Sequence, residues 1–557
     1  MMLPKIPYES GAERIPIQIF GGLDRRAGAG NGAISDMLNM SGADFPVMAT
    51  RQKRVEVVSD LSHRLIGMYA ARSVTNIGET LFYVRYDDPY EISELYAYFT
   101  HEGFSTRLMN LTNEGGYRVF ARLGNRLVIW PDKYIYDNQL PIYGGYSGPL
   151  TKTVEASCTF TDGTYAGEPA EANTILGPSG FDWSEYFKVG DGVTISGAFD
   201  LENNKTAIIR EISGNKLRFD ENTFVNDSLA QNITIERDAP DMDFIFAHDN
   251  RIWGCEGDTI YCSKLGDPFN WNVFDGLSTD SWTVNTGTPG SFTGAISFMG
   301  YPMFFKEDRI FKVHGNRPQN FEVISSVAPG VSCDNNNQSG KNRSMAVVGD
   351  TLYYHSPSGF VRYNGGYPVV IDAALNRRYT SGAAVSDGKR YYVYTSYENE
   401  LIVYTPETGL WHKEDNTMPD GEHPRIFANL ASIAFAGTPD SIYIITDDQY
   451  GHGTMEDDFD SYVTFADFDM QTFAGKYPVR LWLRYESEND LTVEISYNGG
   501  AFETVTVLAS GGKNTKYSPL PIRRCDRFRI KISTTGAWKL YAMEFEVRAE
   551  RTNRKGG

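Results

Sequence analysis

The chain has 557 residues, 41% hydrophobic and 13% aromatic, with 54 glycines, and it carries a formal charge of −19 at pH 7. That composition excludes a disordered chain, and the length exceeds one ~150-residue domain several times over. The charge argues against a surface that grips nucleic acid throughout, because a uniformly acidic protein repels phosphate over a Debye length of ~8–10 Å.

Residues 1–60 are rich in Gly, Pro and polar residues and show little periodicity. They read as an extended N-terminal docking arm that orders on assembly. The opening Met1-Met2-Leu3-Pro4-Lys5-Ile6-Pro7 lacks the apolar core of a secretion signal. Ile34–Met40 and, further on, Ala373–Arg378 are the segments with some helical character. The glycine-rich loop Gly21–Gly30 is followed by neither Gly-Lys-Ser/Thr nor a βαβ unit, so it reads as a turn and not a phosphate cradle.

From residue 61 onward, short aromatic and β-branched runs come in pairs across polar turns. Arg126–Trp130 is followed by Tyr134–Tyr136, Arg251–Cys255 by Thr259–Cys262, and Pro302–Phe305 by Arg309–Val313. Thr351–His355 is followed by Phe360–Tyr363, and Arg390–Thr395 by Leu401–Tyr404. A last run, Asp440–Ile445, has a poor partner. Turns such as Glu256-Gly257-Asp258 have hairpin chemistry, and copies spaced by roughly 40–50 residues match four-stranded propeller blades. The pattern predicts an all-β fold: a β-propeller over 61–143 and 239–450, interrupted by a small β-barrel at 144–238. That insert has its own signature, Val189-Gly190-Asp191-Gly192-Val193-Thr194-Ile195. Alternating runs over Val479–Tyr485, Leu491–Tyr497, Glu503–Leu508, Arg527–Ile532 and Lys539–Val547 predict a C-terminal β-sandwich or jelly roll at 460–557.

Candidate chemistry is sparse. The eight histidines are scattered singly, and no Gly-x-Ser-x-Gly or His-Glu-x-x-His occurs. No catalytic, cofactor or metal residue is therefore assigned, and the chain reads as a non-enzyme. Five scattered cysteines fit a reducing compartment; Cys255 and Cys262 face each other across a hairpin, yet no further soft ligands for zinc lie nearby. Asp334–Gly340 and Glu456–Asp460 lack the ligand pattern of calcium loops. Ser496–Phe502 resembles the Asp-box hairpin, a structural turn. Between Pro521 and Gly557 ten Lys/Arg face four Asp/Glu, against the acidic trend. Arg523, Arg524, Arg527 and Arg529 are the candidate docking residues for an acidic partner subunit.

Three stretches resemble the propeller-built tail nozzle proteins of short-tailed bacteriophages, the tail tubular protein B-like group, together with related DNA-stabilisation tail proteins. They are Ile17–Arg26 with Asp36–Met40 and Phe45–Arg51; Asn250–Trp271, extended by Gly294–Phe298 and Arg309–Gly315; and Val189–Ile195. The resemblance implies a structural virion protein assembled in the host cytoplasm. It would form a homo-oligomeric ring, a hexamer in that group, contacting other tail, portal or adaptor proteins. Double-stranded DNA would pass through the ring transiently, and an acidic lumen would offer it few contacts. Neither a cofactor nor a membrane span is implied. Two other readings stand beside it: a carbohydrate- or receptor-binding tail protein using Trp482 and Trp538 as stacking platforms, and a propeller glycosidase.

Overall fold

The computed structural model describes residues 12–549 except 31, 60, 62, 73–78, 113–114, 138–144, 163–172, 221–222, 334–342, 381 and 447–451. Among these residues the only helical elements are short 3₁₀ turns, and the ladders are antiparallel apart from two isolated bridges.

Six four-stranded sheets and one five-stranded sheet form the propeller. Blade 1 is Arg64–Arg72, Glu79–Asp87, Ile92–Phe99 and Phe104–Asn110; blade 2 is Val119–Leu123, Arg126–Trp130, Tyr134–Asp137 and Gly148–Pro149. Blade 3 runs from Phe244–His248 to Trp282–Asn285, blade 4 from Gly294–Phe298 to Glu322–Val327, and blade 5 from Ala346–Val348 to Val369–Val370. Blade 6 runs from Gly382–Ser386 to Leu410–Glu414. Blade 7 contains Ile426–Leu430, Ile433–Gly437 and Ile442–Ile444, and Val55–Val58 from the N-terminal region completes it as the fourth strand.

Each pair of neighbouring blades shares a hydrophobic cluster, and these clusters close the ring. Ile66, Val84 and Leu95 meet Phe120, Leu127 and Ile129 between blades 1 and 2. Val128 and Trp130 meet Ile245 and Ile252 between blades 2 and 3, and Trp253 and Cys255 meet Phe304 and Phe311 between blades 3 and 4. Phe305 and Tyr354 join blades 4 and 5, Tyr353 and Tyr391 join 5 and 6, and Tyr392 and Tyr443 join 6 and 7. Ile433 and Phe435 then meet Leu65 and Leu81, returning blade 7 to blade 1. A side chain of Leu or Phe size buried this way contributes roughly 1.5–3 kcal/mol, so the closure is driven by strand faces that the sequence leaves apolar on both sides.

The insert occupies Lys152–Thr161 to Asp227–Arg237. Its seven strands form one sheet curled about a core of Phe160, Trp183, Ile195, Leu217 and Ile235. Its edge strands, Thr206–Ile208 and Glu211–Ser213, are consecutive, and no ladder between them seals the curl.

The sandwich differs from the sequence expectation in its composition. One sheet pairs Lys476–Ser487 and Trp538–Ala549 with Gly511–Pro519 on one side and Met48–Thr50 and Met40–Ser41 on the other; Glu13–Ile17 also pairs with Trp538–Ala549. The second sheet runs Ile34–Leu38, Asp460–Phe465, Phe528–Thr535, Leu491–Tyr497, Glu503–Leu508. Residues 13–50 are thus part of the sandwich. An arm with little core of its own was expected there, yet Ile17, Phe20, Leu23, Met37 and Met40 are all buried in the common core. Their spacing is irregular because the segment crosses from sheet to sheet, which is why no strand period shows. Ile34–Leu38 is a strand and not a helical turn, whereas Ala373–Leu375 is a single 3₁₀ turn. Residues 1–11 of the expected docking arm lie outside the described residues.

Candidate functional site

Each of the three stretches that carry the phage-tail resemblance contributes residues to a joint between domains. The first welds the sandwich to blade 6. Leu23 donates its backbone N–H to Trp411 O (2.7 Å), and a Cβ on Gly22 would lie 2.4 Å from that same carbonyl, so only glycine permits the approach. The Arg25 guanidinium donates from both terminal nitrogens to Glu400 (2.9 and 3.2 Å) and also reaches the Tyr379 hydroxyl. Burial works to raise the Glu400 carboxyl, but the hydrogen bonds from Arg25 and Tyr379 outweigh it and hold the group below its ordinary range.

Beside this pair lies a buried charge cluster. Arg51 binds Glu456 through both terminal nitrogens (2.7 and 2.9 Å), and its Nε donates to Asn39 Oδ1 (2.8 Å). Asn39 also donates to Asp460 O and accepts from the backbone of Asp415, so one amide ties the first strands, the sandwich and blade 6 together. Arg54, fully buried, donates to the carbonyls of Asp415 and Thr417 and lies 3.5 Å from Glu414. Burial lowers the Arg54 guanidinium to about 10 and pushes the Glu414 carboxyl upward. Next to them His412 is fully enclosed under Gly42, and burial aided by the Arg390 charge depresses it to about 4.

The second and third stretches meet one another where the insert joins blade 3. Asp191 accepts from Asn270 (3.0 Å) and from Arg237 (2.7 Å), while Asn270 Oδ1 accepts the backbone N–H of Gly192 (2.9 Å). Lys264 reaches Gly190 O, and Trp130 packs edge-on against Trp271 at 5.9 Å. A buried, charge-assisted node of this kind fixes the angle of the insert as well as its attachment.

The four candidate docking arginines lie together at one end of the sandwich, but not as free cations. Arg523 is paired with Glu503 (2.7 Å), and Arg529 and Arg527 share Asp467 (2.7 and 3.6 Å). Arg524 sits on the same connection, between Gly511–Pro519 and Phe528–Thr535. The pairs are half-exposed, so each is screened and exchangeable at little cost. Of the two tryptophans proposed as sugar platforms, Trp538 is buried and donates to Ser461 Oγ, which removes it from any surface. Trp482 lies on the outer sheet face beneath the Arg14 guanidinium. Cys255 and Cys262 are offset, opposite Ile260 and Trp253, and both are buried and not joined by a disulfide.

A cavity of about 350 Å³ opens on the propeller axis, lined by inner-strand residues of blades 4 to 7 together with Tyr117 and Arg343. The Arg343 guanidinium stacks on the Tyr117 ring, narrowing the axis from the side. Among the described residues no group of three His, Cys, Asp or Glu is arranged to hold a metal ion. Glu456 and Asp458 instead pair with Arg51 and Lys53, and Asp334–Gly340 lies outside the described residues. Nothing local marked the weld: Asn39, Arg51 and Arg54 stand among exposed neighbours such as Asp44 and Gln52, and only the fold buries them.

No protein-family model matches the chain, and no curated protein matches it by sequence. Several solved structures overlay on it. BamB from Moraxella catarrhalis is 9% identical and covers 77% of this chain and 97% of its own, with a TM-score of 0.31. Kluyveromyces lactis Hsv2 is 9% identical, covers 74% and 96%, and has a TM-score of 0.30. The acylaminoacyl peptidase of Pyrococcus horikoshii, also 9% identical, covers 75% and 56% with a TM-score of 0.31. The propeller assignment rests on the ladders and blade clusters described above.

Proposed function

We propose that the protein is a non-enzymatic structural subunit of a bacteriophage tail, one copy in a homo-oligomeric nozzle or hub ring. The ring conducts DNA during ejection and helps retain it before. The observation that carries this reading is the position of the resembling stretches. Ile17–Arg26, Asp36–Met40 and Phe45–Arg51, Asn250–Trp271, and Val189–Ile195 each contribute residues to the contacts that lock sandwich to propeller and insert to propeller. A wall subunit needs such rigidity, because strain during genome passage must not hinge one domain against another. The net charge of −19 suits a lumen in which each phosphate contact would add dwell time. Its partners in this reading are neighbouring copies, other tail or portal proteins, and DNA in passage; its location is the virion.

The test is gold-label or tagged-subunit electron microscopy of intact particles, paired with a virus lacking the gene. Label in a ring at the tail, and gene-deleted particles that lose their DNA or fail to deliver it, are expected. Unlabelled tails on fully infectious particles would refute the reading.

A further inference from the structure

The insert and blade 3 enclose a cleft of about 390 Å³. One wall is Thr206–Ile208, the strand that ends the insert's sheet, and the opposite wall is residues 272–275 of blade 3. The volume falls within the ~300–1,000 Å³ usual for small-molecule sites. Arg210 bridges the two walls. Its Nε donates to both carboxylate oxygens of Asp220 (2.9 and 3.0 Å), and its terminal nitrogens donate to both oxygens of Asp275 (2.8 and 2.5 Å). Two carboxylates thus share one guanidinium, which leaves one negative charge and lone pairs on each acid that can still accept from a hydroxyl. Beside them the Phe274 ring is 59% exposed at the cleft. Its loop is braced: the Ser281 N–H donates to Val273 O (3.0 Å), and Gln319 of blade 4 donates to Gly276 O (2.6 Å). Asn272 also lines the cleft, and among the described residues its side-chain amide meets no hydrogen-bond partner.

These groups select among ligand classes. An anion such as phosphate would enter a site of net negative charge and be repelled. A cation would have to displace Arg210, which already satisfies both carboxylates with charge-assisted, bidentate hydrogen bonds. A neutral polyol requires neither. Its hydroxyls can donate to the free lone pairs of Asp220 and Asp275, and the Asn272 amide can both donate to and accept from the next hydroxyl. The apolar Phe274 face remains for the ligand's C–H groups.

We infer that this cleft binds a neutral carbohydrate, with Phe274 packed against one face of a pyranose ring and Asp220, Asp275 and Asn272 holding its hydroxyls. The acids are fixed by Arg210 and the aromatic loop by Ser281 and Gln319 before any sugar arrives, so binding orders little of the protein. The site is separate from Trp482 and Trp538, which lie in the sandwich, and it does not rest on the tail reading.

Saturation-transfer difference NMR on the full chain tests it. The probes are the methyl α-glycosides of glucose, galactose, mannose and rhamnose, and N-acetylglucosamine, each at about 10 mM, where a ~1 mM site is about nine-tenths filled. At least one sugar should receive saturation, strongest at the C–H protons of one ring face. Phe274→Ala and Asn272→Ala should each weaken it at least tenfold with unchanged melting, and Trp482→Ala should leave it as in the wild type. Inorganic phosphate and spermidine, added as anionic and cationic competitors, should displace nothing. No saturation with any of the five sugars, saturation that survives Phe274→Ala, loss in Trp482→Ala, or displacement by either competitor would overturn the assignment. None of these results bears on the tail reading, which the labelled particles decide separately.

Discussion

His412 gives the weld between sandwich and propeller a pH dependence of calculable sign and size. The imidazole is fully enclosed, its Nδ1 has no hydrogen-bond partner, and the Gly42 backbone closes over the ring. Desolvation, helped by the nearby Arg390 charge, moves its pKa from 6.5 down to about 4 in the folded state. The unfolded chain then binds the proton first as pH falls, so stability attributable to this group is intact above pH 6.5 and declines between 6.5 and 4. At pH 5 the two pKa values give a loss of about 2 kcal/mol relative to neutrality, at 1.36 kcal/mol for each pKa unit. Substituting His412→Phe keeps a ring under Gly42 and removes the titration. Urea unfolding at pH 7 and pH 5 should show wild type losing about 2 kcal/mol more than the variant over that interval. Other carboxylates and histidines contribute equally to both proteins and cancel in the difference. Equal losses in both proteins would show that the imidazole titrates normally, and the enclosed site described here would be wrong.

The propeller was legible because blade strands are apolar on both faces and recur with a fixed period. The reason the last repeat seemed incomplete is instructive. Ile442–Ile444 finds its outer neighbour in Val55–Val58, nearly 400 positions earlier, and no local pattern encodes a pairing so distant. Blade 1 carries the same plan less visibly, since its strands Arg64–Arg72, Glu79–Asp87 and Ile92–Phe99 are longer than those of the other copies. Gly511–Pro519 was missed altogether: eight of its nine residues are exposed, so the edge strand carries no alternation to detect. The basic cluster of the sandwich was visible as composition, but the acids that pair with it, Glu503 and Asp467, lie 20 to 62 residues away. Formal charge therefore overstated its free positive surface. The weld escaped notice for the opposite reason, because Arg51, Arg54 and Glu414 look like ordinary surface charges until the fold buries them.

Arg54→Leu should cost roughly 3–5 kcal/mol in urea unfolding, because it leaves Glu414 buried without its nearest cation; adding Glu414→Leu should recover much of that loss, and a double variant no better than the single would contradict the pairing. Gly22→Ala should destabilise by about 2 kcal/mol or more, since the new methyl would meet the rigid Trp411 carbonyl at 2.4 Å; a neutral effect on melting would show that this junction yields. The last prediction concerns closure of the ring. Val55–Val58 pairs on one side with Ile442–Ile444 and on the other with Thr454–Met455, and Glu56 accepts hydrogen bonds from Ser441 and Tyr443. Glu56→Pro removes a ladder donor and the carboxylate together, at a site where the strand is paired on both edges. The hydrophobic seam between blades 7 and 1 remains, but it loses the strand that binds the outer edge of blade 7 to the segment leading into blade 1. Hydrogen exchange should therefore accelerate at Ile442–Ile444 first and at the blade 1 strand Arg64–Arg72 next. Blades 3 and 4, held by their own shared cluster around Trp253, Phe304 and Phe311, should keep wild-type protection. Uniform acceleration across all seven blades would mean that the propeller opens as one cooperative unit and that the N-terminal strand is no local latch.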